Sequence, residues 1–247
     1  MIPLGDDNPT LRLAVLTIGI IVLNAIVFAY QLTLGSSADA SAFTEEFAFA
    51  CEFGVVPEHV VNDPAGSANP CVEESLTQPG WLSLVSHQFL HGGWLHLGGN
   101  MLFLWIFGNN IEDRLGRIRF IPFYLLCGVV AAVGQILVDP GSEIPLIGAS
   151  GAISGMLGAY LVLYPRKKIL TLIYVFPLKI PAWAWLGIYF GLQFLLLGDS
   201  ATAGGGGVAY MAHIAGFIAG AALILPFAIG RPEAADRPKP LPLEMRL

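Results

Sequence analysis

Six apolar stretches without a single Asp, Glu, Lys or Arg dominate this chain: Leu13–Tyr30, Phe89–Phe107, Phe120–Val138, Ile147–Tyr164, Pro181–Leu197 and Val208–Ile229. Each is near the ~20 residues that a helix needs to cross the hydrocarbon of a bilayer. Lipid offers no hydrogen-bond partner to an exposed backbone, so such stretches are expected to be helices. Composition agrees: 12% of residues are charged and the mean hydropathy is +0.69, against about 25% charge in an ordinary soluble domain. The expected fold is an all-α membrane protein, a bundle of six transmembrane helices. A net charge of −6 without a basic patch speaks against a nucleic-acid partner.

The charges between the stretches give the orientation. All twelve basic residues are Arg12, then Arg114, Arg117 and Arg119, then Arg166, Lys167, Lys168 and Lys179, then Arg231, Arg237, Lys239 and Arg246. They fall at the N-terminus, after the second and fourth stretches, and in the tail. The positive-inside rule then places both termini in the cytoplasm. Residues 1–230 are read as one membrane domain and 231–247 as a disordered, Pro-rich cytoplasmic tail. The first stretch lacks a small-residue cleavage site and is read as a retained helix. The connection 31–88 falls outside and carries acidic but no basic residues. It holds Cys51 and Cys71, which form a disulfide or remain two free thiols. Cys127 is read as a packed core thiol.

Polar residues within the apolar stretches converge on one depth. His96, Ser150 and His213 each lie a few residues into a stretch that enters from outside, about 5–10 Å below the outer boundary at 1.5 Å per residue, and Asn100 lies one turn deeper than His96. Such residues are costly in lipid and usually face a bundle interior or a water cavity. His213, Gly216 and Gly220 share one helix face, and Gly151, Gly155 and Gly158 make a small face beside Ser150 and Ser154. Two such faces allow close helix approach, which would bring Ser150 within hydrogen-bond reach of His213. The bland alternative is packing: small residues for close contact, and histidines bonded across helices. Asn24 and Gln135 are read as packing residues, His91 as a buttress at a helix start off the His96 face, and His59 and His87 as ordinary loop residues.

These residues resemble the rhomboid family of intramembrane serine proteases, over all six helices. "HGGWLHLGGNMLFLWIFG" is similar to the family's second helix, with His91, His96 and Asn100 in its His-x-x-x-x-His-x-x-x-Asn pattern, and "IEDRLGRIRF" to the turn that follows. "GASG" matches Gly-x-Ser-Gly with Ser150 as nucleophile, and "AHIAGFIAG" resembles the sixth-helix motif with His213 as base. The resemblance implies a Ser–His dyad without a third acid, and no Asp or Glu lies in the six stretches. It implies an oxyanion hole of His96, Asn100 and the Ser150 backbone N–H. Gly148, Gly151, Ser154 and Gly216 would support the site or contact substrate. It further implies hydrolysis of transmembrane proteins, single-span ones by expectation, near the outer face of a bacterial cell membrane, with no metal or cofactor.

Two departures stand out. Ser154 occupies the place where many relatives carry an aromatic ring that stacks on the histidine, so His213 must be oriented by something else or less tightly. "WLSLVS" lacks the Arg that often follows Trp81 in the first outer loop, which puts the polar anchoring of that loop in doubt. The glycine-rich run Gly198–Gly207 suits a lid over a water cavity, or an idle linker. A non-catalytic, client-binding relative is the competing class. A channel or transporter would instead line its path with ionisable residues, and none lies at mid-depth.

Overall fold

The computed structural model describes residues 1–35, 44–61, 69–202 and 209–231. Its helices are α1 (Val15–Thr33), the short α2 (Glu45–Phe53), α3 (Pro57–Val61), α4 (Pro70–Ser75) and α5 (Gly80–Ser86), then α6 (Trp94–Phe103), α7 (Asn109–Leu115), α8 (Arg117–Val138), α9 (Ser150–Leu163), α10 (Ala182–Thr202) and α11 (Tyr210–Ala228). A π-helical turn, Leu104–Gly108, joins α6 to α7 without a break. Among the described residues three helices are long and apolar enough to cross a membrane: α1, α8 and α11. The apolar parts of α9 and α10 are shorter. α9 has 14 residues, about 21 Å of helix. It starts at Ser150, so Ile147–Ala149 lead into the helix and are not part of it.

One expectation is corrected outright: the chain is mostly helical but not all-α. Strands β1 (Ile2–Asp6), β2 (Lys168–Ile173) and β3 (Phe176–Pro181) form an antiparallel sheet in the order β1-β2-β3. The reason is local. "KILTLI" alternates, with Ile169 and Thr171 buried, and alternation of this kind suits a strand. Tyr174, at φ 54°, makes the tight turn into β3. Asp6 at the end of β1 accepts hydrogen bonds from Tyr160 Oη on α9 and Asn110 Nδ2 on α7. These bonds tie the N-terminal strand to the helical core.

The core is the contact of α9 with α11 and α8. A Cβ on Gly216 would run into the Gly151 carbonyl oxygen, one on Gly220 into that of Gly155, and one on Gly158 into that of Phe217. Glycine is therefore required where these backbones touch. Residues Gly151 to Tyr160 are buried without exception, and Cys127 is buried as a free thiol against Gly155. Gly116, at φ +73°, makes the sharp turn between α7 and α8. Just before it, Glu112 is buried and accepts from the Leu16 and Thr17 amides and from Thr17 Oγ1. It caps α1, whose N-terminal amides and dipole favour a carboxylate.

The described parts of the long acidic connection, 44–61 and 69–86, fold into a small subdomain. Cys51 on α2 and Cys71 on α4 form a disulfide, which resolves the alternative left open by the sequence. Thr44 caps α2 and Asn69 caps α4. Val55 then pairs with Leu146 through two backbone hydrogen bonds of 3.0 and 2.8 Å. The subdomain thus grips the segment that leads into α9. The segment 203–208 and the tail from 232 lie outside the described residues. Of the expected flexible run, Gly198–Thr202 continue α10 as helix.

Candidate active site

The site is built where α9 begins. Gly148 has φ +121°, a conformation that suits glycine. Its N–H donates to the His87 carbonyl at 2.8 Å. A Cβ at this position would lie 2.7 Å from His96 Nε2 and 3.7 Å from Ser150 Oγ. The absence of a side chain therefore keeps open the space that His96 and Ser150 share. Ser150 is the first residue of α9, so its N–H and those of the next residues lack intrahelical acceptors.

Ser150 Oγ lies 2.8 Å from Nε2 of His213 on α11. The pair forms because glycines let α9 and α11 approach to backbone contact. His213 Nδ1 lies 2.8 Å from Gln193 Oε1 on α10. Sequence reasoning missed Gln193. The available signal was an uncharged polar side chain alone in an otherwise apolar stretch, a placement that usually has a reason in lipid.

His96 on α6 closes the other side. The Gly92 N–H donates to His96 Nδ1 at 3.3 Å, which leaves the proton of a neutral ring on Nε2, toward Gly148 and Ser150. Asn100, one turn further on, is buried, and its Nδ2 has no hydrogen-bond partner among the described residues. Buried amide donors are rarely left so. Ser150, His96 and His213 are each only partly buried.

His91 stands just before α6, where a buttress was expected, but it is not off the His96 face. His91 is buried, and its ring packs edge-on against that of His96 with centroids 5.0 Å apart. Gln31 of α1 clasps its backbone N–H and carbonyl. His87 is not an ordinary loop residue either. It is buried, Nδ1 bonds the Ser83 carbonyl at 2.9 Å, and burial pushes the imidazole down to about 4. Ser154 is fully buried and bonds Tyr189 Oη on α10 at 3.0 Å. Asn24 bonds within its own helix, to the Ile20 carbonyl. Among the described residues no group of three or more His, Cys, Asp or Glu side chains is placed as metal ligands would be.

Fold and site together define a helical integral membrane protein with a serine and a histidine paired at the start of a buried helix. A Rhomboid domain model matches residues 78–229, more than half of the chain. The chain belongs to the rhomboid family. It is 36% identical over 157 residues to Rhomboid protease GluP of Bacillus subtilis, covering 62% of this chain and 28% of that one. It is 31% identical over 143 residues to Rhomboid protein 1, mitochondrial, of Saccharomyces cerevisiae, covering 56% and 40%. It is 40% identical over 78 residues to RHOMBOID-like protein 5 of Arabidopsis thaliana, covering 32% and 25%. The matched region thus spans two fifths or less of these relatives.

Proposed function

We propose that this protein is an intramembrane serine endopeptidase that cuts transmembrane proteins through a Ser150–His213 dyad. The observation that carries the reading is the 2.8 Å contact between Ser150 Oγ and His213 Nε2 inside a membrane domain. Neutral His213 takes the hydroxyl proton as Ser150 attacks a peptide carbonyl, then returns it to the leaving amine. Water hydrolyses the acyl-enzyme by the same route. The oxyanion that forms needs donors already in place. His96 Nε2–H, the unpartnered Asn100 amide and the Ser150 N–H fill that role, helped by the N-terminal end of α9. Gly148, Gly151, Ser154 and Gly216 serve as supporting positions.

In this reading residues 1–230 form a six-span domain with both termini cytoplasmic, and the site opens to the outer face of a bacterial membrane. The disulfide of the 31–88 connection suits an oxidising outer compartment. Substrates are transmembrane segments, single-span proteins by preference, that unwind locally, because an intact helix hides its carbonyls. A rhomboid-like protein that binds clients without cutting them would have no use for the Ser150–His213 pairing. The test is purified protein in liposomes with a model single-span substrate, analysed by gel and mass spectrometry. Wild type should cut near one membrane boundary, and Ser150→Ala and His213→Ala should not. A well-folded wild type that cuts none of several substrates would support the client-binding reading. A cut that survives Ser150→Ala would remove Ser150 as nucleophile.

A further inference from the structure

His213 is engaged at both ring nitrogens: Nε2 with Ser150 Oγ and Nδ1 with Gln193 Oε1, each at 2.8 Å. A neutral imidazole has one N–H and one lone pair, so the two contacts are coupled. If Nδ1 donates, Nε2 keeps the lone pair that can take the serine proton. If Nδ1 accepts, Nε2 points a hydrogen at the serine and the ring is useless as a base. Whichever end of the Gln193 amide faces the ring therefore decides whether the pair is competent.

The neighbouring backbone decides the amide. Gln193 Nε2 lies 3.5 Å from the Tyr189 carbonyl, one turn earlier in α10. That contact is long, but a carbonyl oxygen can only accept, so the amino end belongs there and Oε1 belongs at His213. The reversed amide would set two carbonyl oxygens against each other. Gln193 is 8% exposed, so water competes little for its oxygen. The Ser154–Tyr189 hydrogen bond holds the same part of α10 against α9. Among the described residues no carboxylate bonds His213.

We propose that Gln193 is the positioning residue of the dyad: its side-chain oxygen accepts the His213 Nδ1 proton and so fixes the tautomer whose Nε2 receives the proton of Ser150. The assignment rests on the protease reading. Gln193 does part of what a carboxylate does behind the histidine of a soluble serine protease. It sets tautomer and orientation but lacks the negative charge that stabilises the imidazolium. It also answers how the base is held when Ser154 stands in place of a stacking ring.

The test uses the 247-residue chain in nanodiscs with ¹⁵N-labelled histidine. The His213 signals are assigned by their loss in His213→Gln. Wild type should show a neutral ring protonated at Nδ1. Gln193→Leu, of similar size but without an acceptor, should lose that preference. Its kcat should fall by about 10–100-fold with KM within about twofold, since a wrong tautomer behind a catalytic histidine can cost up to about 10⁴-fold. Gln193→Glu keeps an acceptor and should restore both the tautomer and most of kcat. An Nε2-protonated ring in wild type overturns the proposal. So does a Gln193→Leu protein that cleaves at the wild-type rate. The wild-type spectrum decides the point even if Gln193→Leu fails to fold. Failure of the protease reading looks different: wild type would cut nothing, while the spectrum still shows what Gln193 does to the ring.

Discussion

Gly220 of α11 sits so close to the Gly155 carbonyl of α9 that no Cβ fits between them. The same holds for Gly216 against Gly151. Gly220→Ala and Gly216→Ala must push the two helices apart. Overpacking of a tight core costs typically about 1–3 kcal/mol, and here the obstacle is backbone, which yields little. Both variants should lower the thermal midpoint in detergent and weaken cleavage, because the Ser150–His213 distance depends on this contact. Gly191→Ala is the control, since nothing lies within 4 Å of that position. A Gly220→Ala protein as stable as the control would refute the packing account.

Among the described residues Asn100 Nδ2 has no hydrogen-bond partner, so Asn100→Ala breaks no hydrogen bond seen at that amide. Unfolding should change little. Kinetics should change much, by roughly 10²–10³-fold in kcat, the usual loss for one oxyanion donor. The measurement is a pair: a melting curve and steady-state cleavage on the same preparation. An unchanged kcat would take Asn100 out of the oxyanion hole.

The Cys51–Cys71 bridge closes a loop with a sequence separation of 20 residues. In the chain-entropy account a loop of this size is worth about 3 kcal/mol. Cys51→Ser should loosen α2 to α4, and the effect should reach Ser150 through the Val55–Leu146 pairing. Reductant should therefore slow wild-type cleavage and leave Cys51→Ser unaffected. Limited proteolysis of residues 44–86, with and without reductant, measures the loosening directly.

His87 makes stability sensitive to acid. Its folded value of about 4 is lower than the ordinary 6.5, chiefly because burial disfavours the charged ring. The unfolded chain thus takes up this proton first as pH falls. The contribution is whole above pH 6.5 and is lost progressively toward pH 4, at up to about 1.4 kcal/mol per pH unit. Melting temperatures of wild type and His87→Gln between pH 7.5 and 4.5 should diverge in slope, with the variant flatter. Parallel curves would absolve His87.

Ser150, His213, His96 and Asn100 could be singled out in the sequence because the proposed chemistry needs particular side chains at particular depths. Apolar run length and helical periodicity give both. The glycine faces were legible for the same reason, since close approach admits only the smallest residue. Gln193 was not found, because its partner lies 20 residues away on another helix and no local spacing links them. His87 looked ordinary because its contribution to the site is a backbone carbonyl, which any residue possesses. The sheet was hidden by its brevity: β1 is five residues and pairs with a strand more than 160 positions away. The subdomain of 44–61 and 69–86 depends on pairings across a long polar connection, where periodicity carries little information.

Helix α10 has a property that lipid alone does not give it. Trp183, Ile188, Leu192, Phe194 and Leu195 are all exposed on its surface, and in the proposed six-span arrangement acyl chains would solvate such side chains about as well as protein does. Apolar residues therefore discriminate weakly between one rotational setting of this helix and another. Tyr189 and Gln193, one turn apart, bond Ser154 and His213 on two different helices. Turning α10 about its axis would break both bonds and leave their polar atoms without these partners. The azimuth of this helix is thus written in two hydrogen bonds, and the residues that aim the histidine also tell its neighbour which way to face.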